Sequence, residues 1–544
     1  MPNRTSTKLL NILLRPFQEH LLFLIVFFVL ASSIHIIRFI KCGPFYYSHA
    51  FHLLLHSIAL SYFVTLLVGL IRHKLTRRII QGIILFVSAV FFISNTYCLF
   101  ELGSLLQADF AMLAIGTNPN EVSEFLKSMV SPRLVFSTIA ILALIIILWA
   151  LSVRHPIRLG KKISLLALGL VCICSTDNLL GWKIWEDGTI GHLTELITSM
   201  RNNELPDISQ INHTPPKLTF SQQDHIPENL VLILGESFAR FHSSLYGYDK
   251  ETNPYLTALR DSSQLYTLDS ISSPAPTTSL SLQSMMTTSD RAVADSKTRK
   301  WYEFPTLIDI LKECGYHCYW FSNHTRAGKF SYVARILAES CDTCFFFRKR
   351  DNVVNYIVLD IVLVDSSYHF IKQLNLQDTR NFTVFHVMGS HFDYSLRYPE
   401  EFNHFNEKDY MAYPENQRRI LAAYDNSILY NDYIVKKIID IYKDREALIL
   451  YVPDHGQDLY RSSPTYFTHG KINVPESRAY GEEIPFMIYA TPSYRKKNPE
   501  IFKRIAERQD KPKAWNTENL PYFIMELIGI EDMDGESVQA KSPL

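Results

Sequence analysis

Carboxylates and imidazoles recur at the polar ends of short apolar runs in this chain. Leu230–Leu234 runs into Gly235-Glu236-Ser237, and Tyr316–Ser322 into Asn323-His324. Phe382–Met388 runs into Gly389-Ser390-His391, and Ala447–Val452 into Pro453-Asp454-His455-Gly456, with His469-Gly470 downstream. Any one of these reads as a turn or a helix cap. Together they bring carboxylate oxygens and imidazole nitrogens to one place, a donor set that suits zinc and, less well, manganese.

Such a set works only if one scaffold gathers it. The apolar runs predict strands at Leu230–Leu234, Tyr316–Ser322, Phe382–Met388, Ala447–Val452 and Pro485–Ala490. Helical patterns fall at Thr306–Cys314, at Glu415–Tyr442 and at Glu518–Ile528. Strands alternating with helices predict a mostly parallel sheet covered on both faces. Sheets of that kind keep their chemistry at the carboxyl ends of the strands, where the polar segments lie.

The 544 residues carry no net charge, but the average hides two unlike parts. Met1–Trp182 is net +9, so the remainder is −9. The basic part holds five apolar runs of near-spanning length: Leu21–Ile40, Phe51–Ile71, Ile79–Leu99, Leu134–Ser152 and Ile163–Leu180. The first is too long for a signal-peptide core and is followed by further runs. Arg4, Lys8 and Arg15, then Arg72–Arg78, then Arg154–Lys162 fall on one side of a five-span arrangement, which predicts that side to be cytoplasmic and everything after Trp182 to be outside. Arg38 and Lys41 oppose this and are outnumbered. Intramembrane charges are nearly absent, which argues against transport. No basic stripe marks the soluble part, which argues against nucleic acid as a partner. The expected domains are residues 1–182 in the membrane, an amphipathic segment and Pro-containing linker at 183–229, and a catalytic domain at 230–544.

The segment Asn229–Leu256, NLVLILGESFARFHSSLYGYDKETNPYL, resembles the opening motif of the phosphoethanolamine transferases. Gly389–His391, Asp454–Gly456 and His469–Gly470 follow in that family's order. The resemblance covers essentially the whole chain. It implies a five-helix membrane domain followed by an α/β/α sandwich of the alkaline phosphatase/sulfatase type, in the periplasm of a bacterial inner membrane. It implies that Glu236, Asp454 and His455 bind the catalytic metal with a threonine as the remaining ligand and nucleophile, and that His391 and His469 hold the phosphate or a second zinc. A threonine hydroxyl is a poor nucleophile until a dication lowers its pKa. In Ser272–Met286, SSPAPTTSLSLQSMM, placing Thr278 on the family pattern sets Ser281 and Met285 in register. Thr277 is the alternative. Asn323 and Lys329 fall where the family places substrate-contacting residues.

The implied reaction moves phosphoethanolamine from phosphatidylethanolamine, through a phospho-threonine, to lipid A, lipopolysaccharide core or another envelope glycan. A phosphoglycerol transferase using phosphatidylglycerol, or a sulfatase-like hydrolase, is the alternative. Two features depart from the lipid A-modifying pattern: no cysteine pair flanks the threonine, and Gln457-Asp458 follows the Asp-His-Gly motif. Cys314, Cys318, Cys341 and Cys344 lie in the exported part, where an oxidising compartment favours bridges, most simply Cys314–Cys318 and Cys341–Cys344.

Overall fold

The computed structural model describes residues 4–42, 47–101, 132–154, 157–180, 214–220, 226–289, 300–326, 331–348, 358–373, 380–462 and 475–544, with isolated positions between them. The chain divides into a helical unit and an α/β unit near Glu204–Leu205.

The helical unit comprises α1 (Arg4–Gln18), α2 (Leu21–Cys42), α3 (Tyr47–Gly69), α4 (Lys74–Glu101), α5 (Pro132–Arg154) and α6 (Lys161–Leu180). Helices α2 to α6 stand where the five apolar runs were read. Among the described residues, Phe51–Gly69 and Lys74–Cys98 are long and apolar enough to cross a bilayer, and the α1–α2 pair, bent by 65°, makes a third if taken as one span. Helix α1 was not anticipated as a separate element. Its Phe17 stacks on Tyr62 of α3, whose hydroxyl donates to the Leu13 carbonyl at 2.9 Å. The outward faces are apolar: Phe136 is 73% exposed and Leu166 75%, as lipid-facing positions require. Inside α3, Ser57, Ser61 and Thr65 return their hydroxyls to the carbonyls of Leu53, Ser57 and Ser61, so these three donors are satisfied within the helix. Most of residues 102–131 and 181–213 lie outside the described residues.

The α/β unit is built on seven strands: β1 (Asn229–Gly235), β2 (Leu265–Leu268), β3 (Tyr316–Ser322), β4 (Thr343–Phe346), β5 (Arg380–His386), β6 (Ala447–Pro453) and β7 (Phe486–Ala490). Their order is β2-β7-β6-β1-β5-β3-β4, parallel except for β7. Strands β1 and β6 are buried along their whole length, as a parallel sheet covered on both faces demands. Leu230, Leu232 and Leu234 enter one core, with helices α8 (Thr278–Met285), α9 (Leu307–Glu313) and α10 (Tyr332–Glu339). Val231 and Ile233 enter the other, with α11 (Asp360–Gln373) and α12 (Glu415–Tyr442). The two-residue alternation of β1 therefore divides the layers. Helix α7 (Pro254–Asp261) flanks the second core through Leu256.

Five strands were legible as apolar runs, whereas the short edge strands β2 and β4 were not. The run read as Phe382–Met388 is strand only to His386. Val387 and Met388 are buried in the turn beyond it, so hydrophobicity outlasts the strand. Thr306 and Asp309 form a capping box that starts α9, close to the expected boundary. The expected bridges are absent: Cys314, Cys318, Cys341 and Cys344 are four free thiols in the structure. Cys318 Sγ lies 4.0 Å from the Ile308 carbonyl and 3.9 Å from that of Tyr316, and Cys341 Sγ 3.7 Å from that of Leu337.

Candidate active site

Parallel register brings the polar strand ends together. Leu234 lies opposite both Val452 and His386, and Gly235 opposite Pro453, so the residues after β1 and β6 leave the sheet side by side. The Asp454 amide donates to Gly235 O at 3.1 Å. Beyond Glu236 the chain turns sharply through Ser237, whose φ of 51° is left-handed and costly for a residue with a Cβ. Tyr424 of α12 holds that turn: its hydroxyl donates to Ser237 O at 2.6 Å and accepts from Ala239 N at 2.8 Å. Gly456 is needed for space, because a Cβ there would sit 2.7 Å from Glu483 O.

Glu236, Asp454 and His455 are fully buried and present ligand atoms within 4.8 Å of one another. His455 Nε2 is 3.2 Å from Glu236 Oε1 and 3.5 Å from Asp454 Oδ2. Burial opposes ionisation of Glu236, but the hydrogen bond and charge of His455 hold its carboxyl well below the usual value. Burial and then the Glu236 charge push the Asp454 carboxyl up. Burial disfavours a proton on His455, yet the Asp454 charge and the Glu236 hydrogen bond raise it to about 9. The cluster thus demands positive charge, and a dication can take the place of that proton. Asp454 Oδ2, buried and accepting no hydrogen bond, fits the same demand. His455 Nδ1 bonds Gly456 O at 2.8 Å, orienting the ring with Nε2 toward the carboxylates. The donor set suits zinc.

Thr278 opens α8, and its Oγ1 lies 3.2 Å from Glu236 Oε1 and 3.3 Å from His455 Nε2. Ser281, one turn on, donates to the Asp454 carbonyl and contacts Met285 Sδ at 3.2 Å, fastening the helix to the ligand loop. Thr277 is the N-cap, with extended backbone and no capping bond from its side chain.

A second group, Glu236 with His324 and His386, also has close ligand atoms. The two rings stack parallel at 3.9 Å. An ion must lie near the plane of each imidazole it binds, so this pair does not converge on one metal. His386 was missed because it sits inside an apolar run; its being the one imidazole in that run was the available signal. Burial lowers the affinity of His324 and His386 for protons. His391, its ring 6.2 Å from that of His324, is lowered to about 4, first by burial. Its Nδ1 bonds Phe392 O at 2.5 Å. Asn323, expected at the substrate, is fully buried, with its amide donating to Val358 O at 2.9 Å and Asp360 Oδ1 at 2.8 Å. His469 and Lys329 lie outside the described residues.

A family model described as Sulfatase matches residues 228–530. The phosphoethanolamine transferase EptA of Helicobacter pylori is 26% identical over 456 residues, 80% of each chain. Among solved structures, the integral membrane protein lipooligosaccharide phosphoethanolamine transferase A (EptA) from Neisseria meningitidis is similar at a TM-score of 0.67 and 18% identity, covering 94% of this chain and 96% of that one. The C-terminal periplasmic domain of Escherichia coli EptC in complex with zinc is similar at a TM-score of 0.51 and 22% identity, over 60% of this chain and 89% of that one. These two likenesses show the fold: a helical membrane part joined to an alkaline phosphatase-like α/β domain.

Proposed function

The chain belongs to the sulfatase family, and from that premise we propose that it is a metal-dependent phosphoethanolamine transferase of a bacterial inner membrane, with its α/β unit in the periplasm. The Thr278 hydroxyl beside Glu236 and His455 carries this reading. The named relatives, which are phosphoethanolamine transferases, support it. The basic loops between apolar helices support the orientation.

Thr278 Oγ1 attacks the phosphorus of phosphatidylethanolamine as its proton passes to solvent. The new bond joins Thr278 oxygen to phosphorus; the bond that breaks is the one to diacylglycerol, whose oxygen leaves as the alkoxide and takes up a proton. A hydroxyl or phosphate oxygen of lipid A, lipopolysaccharide core or another envelope glycan then attacks the phospho-threonine and frees Thr278. Zinc held by Glu236, Asp454, His455 and Thr278 would supply positive charge that lowers the hydroxyl pKa and neutralises the phosphoryl oxygens; manganese would suit the same donors less well. His391 and His469 hold the phosphoryl group. The lipooligosaccharide named for the Neisseria relative supports a glycolipid acceptor.

Donor lipids labelled in the headgroup test the reading. Purified enzyme with an acceptor glycolipid should transfer label from phosphatidylethanolamine. Transfer from phosphatidylglycerol alone would make it a phosphoglycerol transferase, and release of free headgroup phosphate alone would make it a hydrolase.

A further inference from the structure

Two loops flank Glu236 on the side away from Asp454: the one after β3, carrying His324, and the one after β5, carrying His391. Beyond the last strand residues the His324 ring itself reaches the other loop, its Nε2 3.0 Å from Val387 O. Both are tied to Asp360, the first residue of α11, which is 3% exposed. Asp360 Oδ1 accepts from Met388 N at 2.9 Å and from Asn323 Nδ2 at 2.8 Å, and Oδ2 accepts from Gly389 N at 2.9 Å. Asn323 N completes the tie by donating to His386 O at 3.0 Å. Gly389 in turn backs onto Glu236, where an added Cβ would meet Glu236 N and O at 3.3 Å.

We infer that Asp360 is a positioning residue: one buried carboxylate, behind the site and touching none of its ligands, sets the separation of the His324 and His391 loops and holds the Gly389 turn against Glu236. A carboxylate is required because all three partners are N–H donors. An amide at 360 turns its own N–H toward one of them, and buried donors left without acceptors are costly. The loops then move to find other partners, and the imidazoles move with them. Asn323 thereby acts as a strut between loops, a role consistent with its burial.

The role rests on the phosphoethanolamine-transfer reading for its kinetic readout, and a second readout is independent of it. Asp360→Asn keeps shape and volume and leaves Glu236, Thr278, Asp454 and His455 in place. In detergent-solubilised full-length protein, hydrogen–deuterium exchange in peptides spanning Met388 and Gly389 should speed at least tenfold, with zinc content unchanged. In donor turnover, Asp360→Asn should lower kcat/KM about tenfold in the wild type but less than twofold in a His324→Ala, His391→Ala background, because the carboxylate acts through those rings. Equal losses in both backgrounds, or unchanged exchange, would overturn the inference. Asn323→Ser deletes one arm of the tie and replaces Asp360→Asn if that variant does not fold; the same exchange and kinetic criteria apply. A wild-type enzyme that transfers no phosphoethanolamine defeats the functional reading alone, and the exchange result still decides the role of Asp360.

Discussion

Thr277 and Thr278 are chemically identical neighbours, and the helix boundary between them separates their geometry. Thr277 has φ −145° and ψ 142°, outside α8, while Thr278 is its first residue. The change in backbone direction sends Thr278 Oγ1 to Glu236 and His455. A transfer in two steps needs a side chain that carries the group between donor and acceptor. With donor lipid and no acceptor, a peptide containing Thr278 should therefore gain one phosphoethanolamine mass. Thr278→Ala should lose the adduct and about a thousandfold or more in turnover, the scale of removing a covalent nucleophile. Thr277→Ala should keep measurable activity. Fragmentation that places the adduct on Thr277 reverses the assignment, and full activity in the double mutant removes the covalent mechanism.

Among the elements, α12 does more than cover one face of the sheet. Its Tyr424 is buried, packs edge-on against Tyr394 at 4.9 Å and spans the turn at Ser237 with one hydroxyl. The next residue, Asp425, receives His242 at 2.5 Å and Tyr248 at 2.7 Å, so one helical turn anchors the whole segment after Glu236. Tyr424→Phe strands the Ser237 carbonyl and the Ala239 amide in the interior. The expected cost is about 1–3 kcal/mol, the penalty for buried groups left unpaired. Thermal unfolding of the purified variant checks it, and an unchanged midpoint shows that the turn holds without the hydroxyl. The length and position of α12 were readable from its repeat of apolar residues. The reach of Tyr424 was not, because its partners lie nearly two hundred residues away in the chain.

For the molecule as a whole, the buried cluster links stability to pH and metal. The His455 pKa is raised in the fold from 6.5 to about 9, by the Asp454 charge and the Glu236 hydrogen bond working against burial. A group whose pKa rises on folding stabilises below its unfolded value and loses that contribution as pH climbs through the folded one. The raised Asp454 carboxyl acts with the same sign. Metal-free protein should therefore lose thermal stability between pH 6.5 and 9, and zinc should restore more at pH 9 than at pH 6.5, where it competes with protons. Unfolding curves with chelator and with zinc measure both effects. A metal-free midpoint that stays flat across this window contradicts the electrostatic account.

Local pattern by itself determined the apolar helices α2 to α6, the cores of five strands, and the acidic and imidazole residues at their ends. These are properties of neighbouring residues: apolar length, period and turn chemistry. Tertiary structure decided the rest, because the deciding contacts join distant positions. It set Thr278 beside Glu236, which is 42 residues away. It buried Asn323, stacked His324 on His386 and left four thiols unbridged. It brought Tyr424 and Asp360, which no motif marks, against the backbone at Ser237 and Gly389. A buried polar side chain is chosen by the groups it must satisfy, and only the fold brings those groups to it.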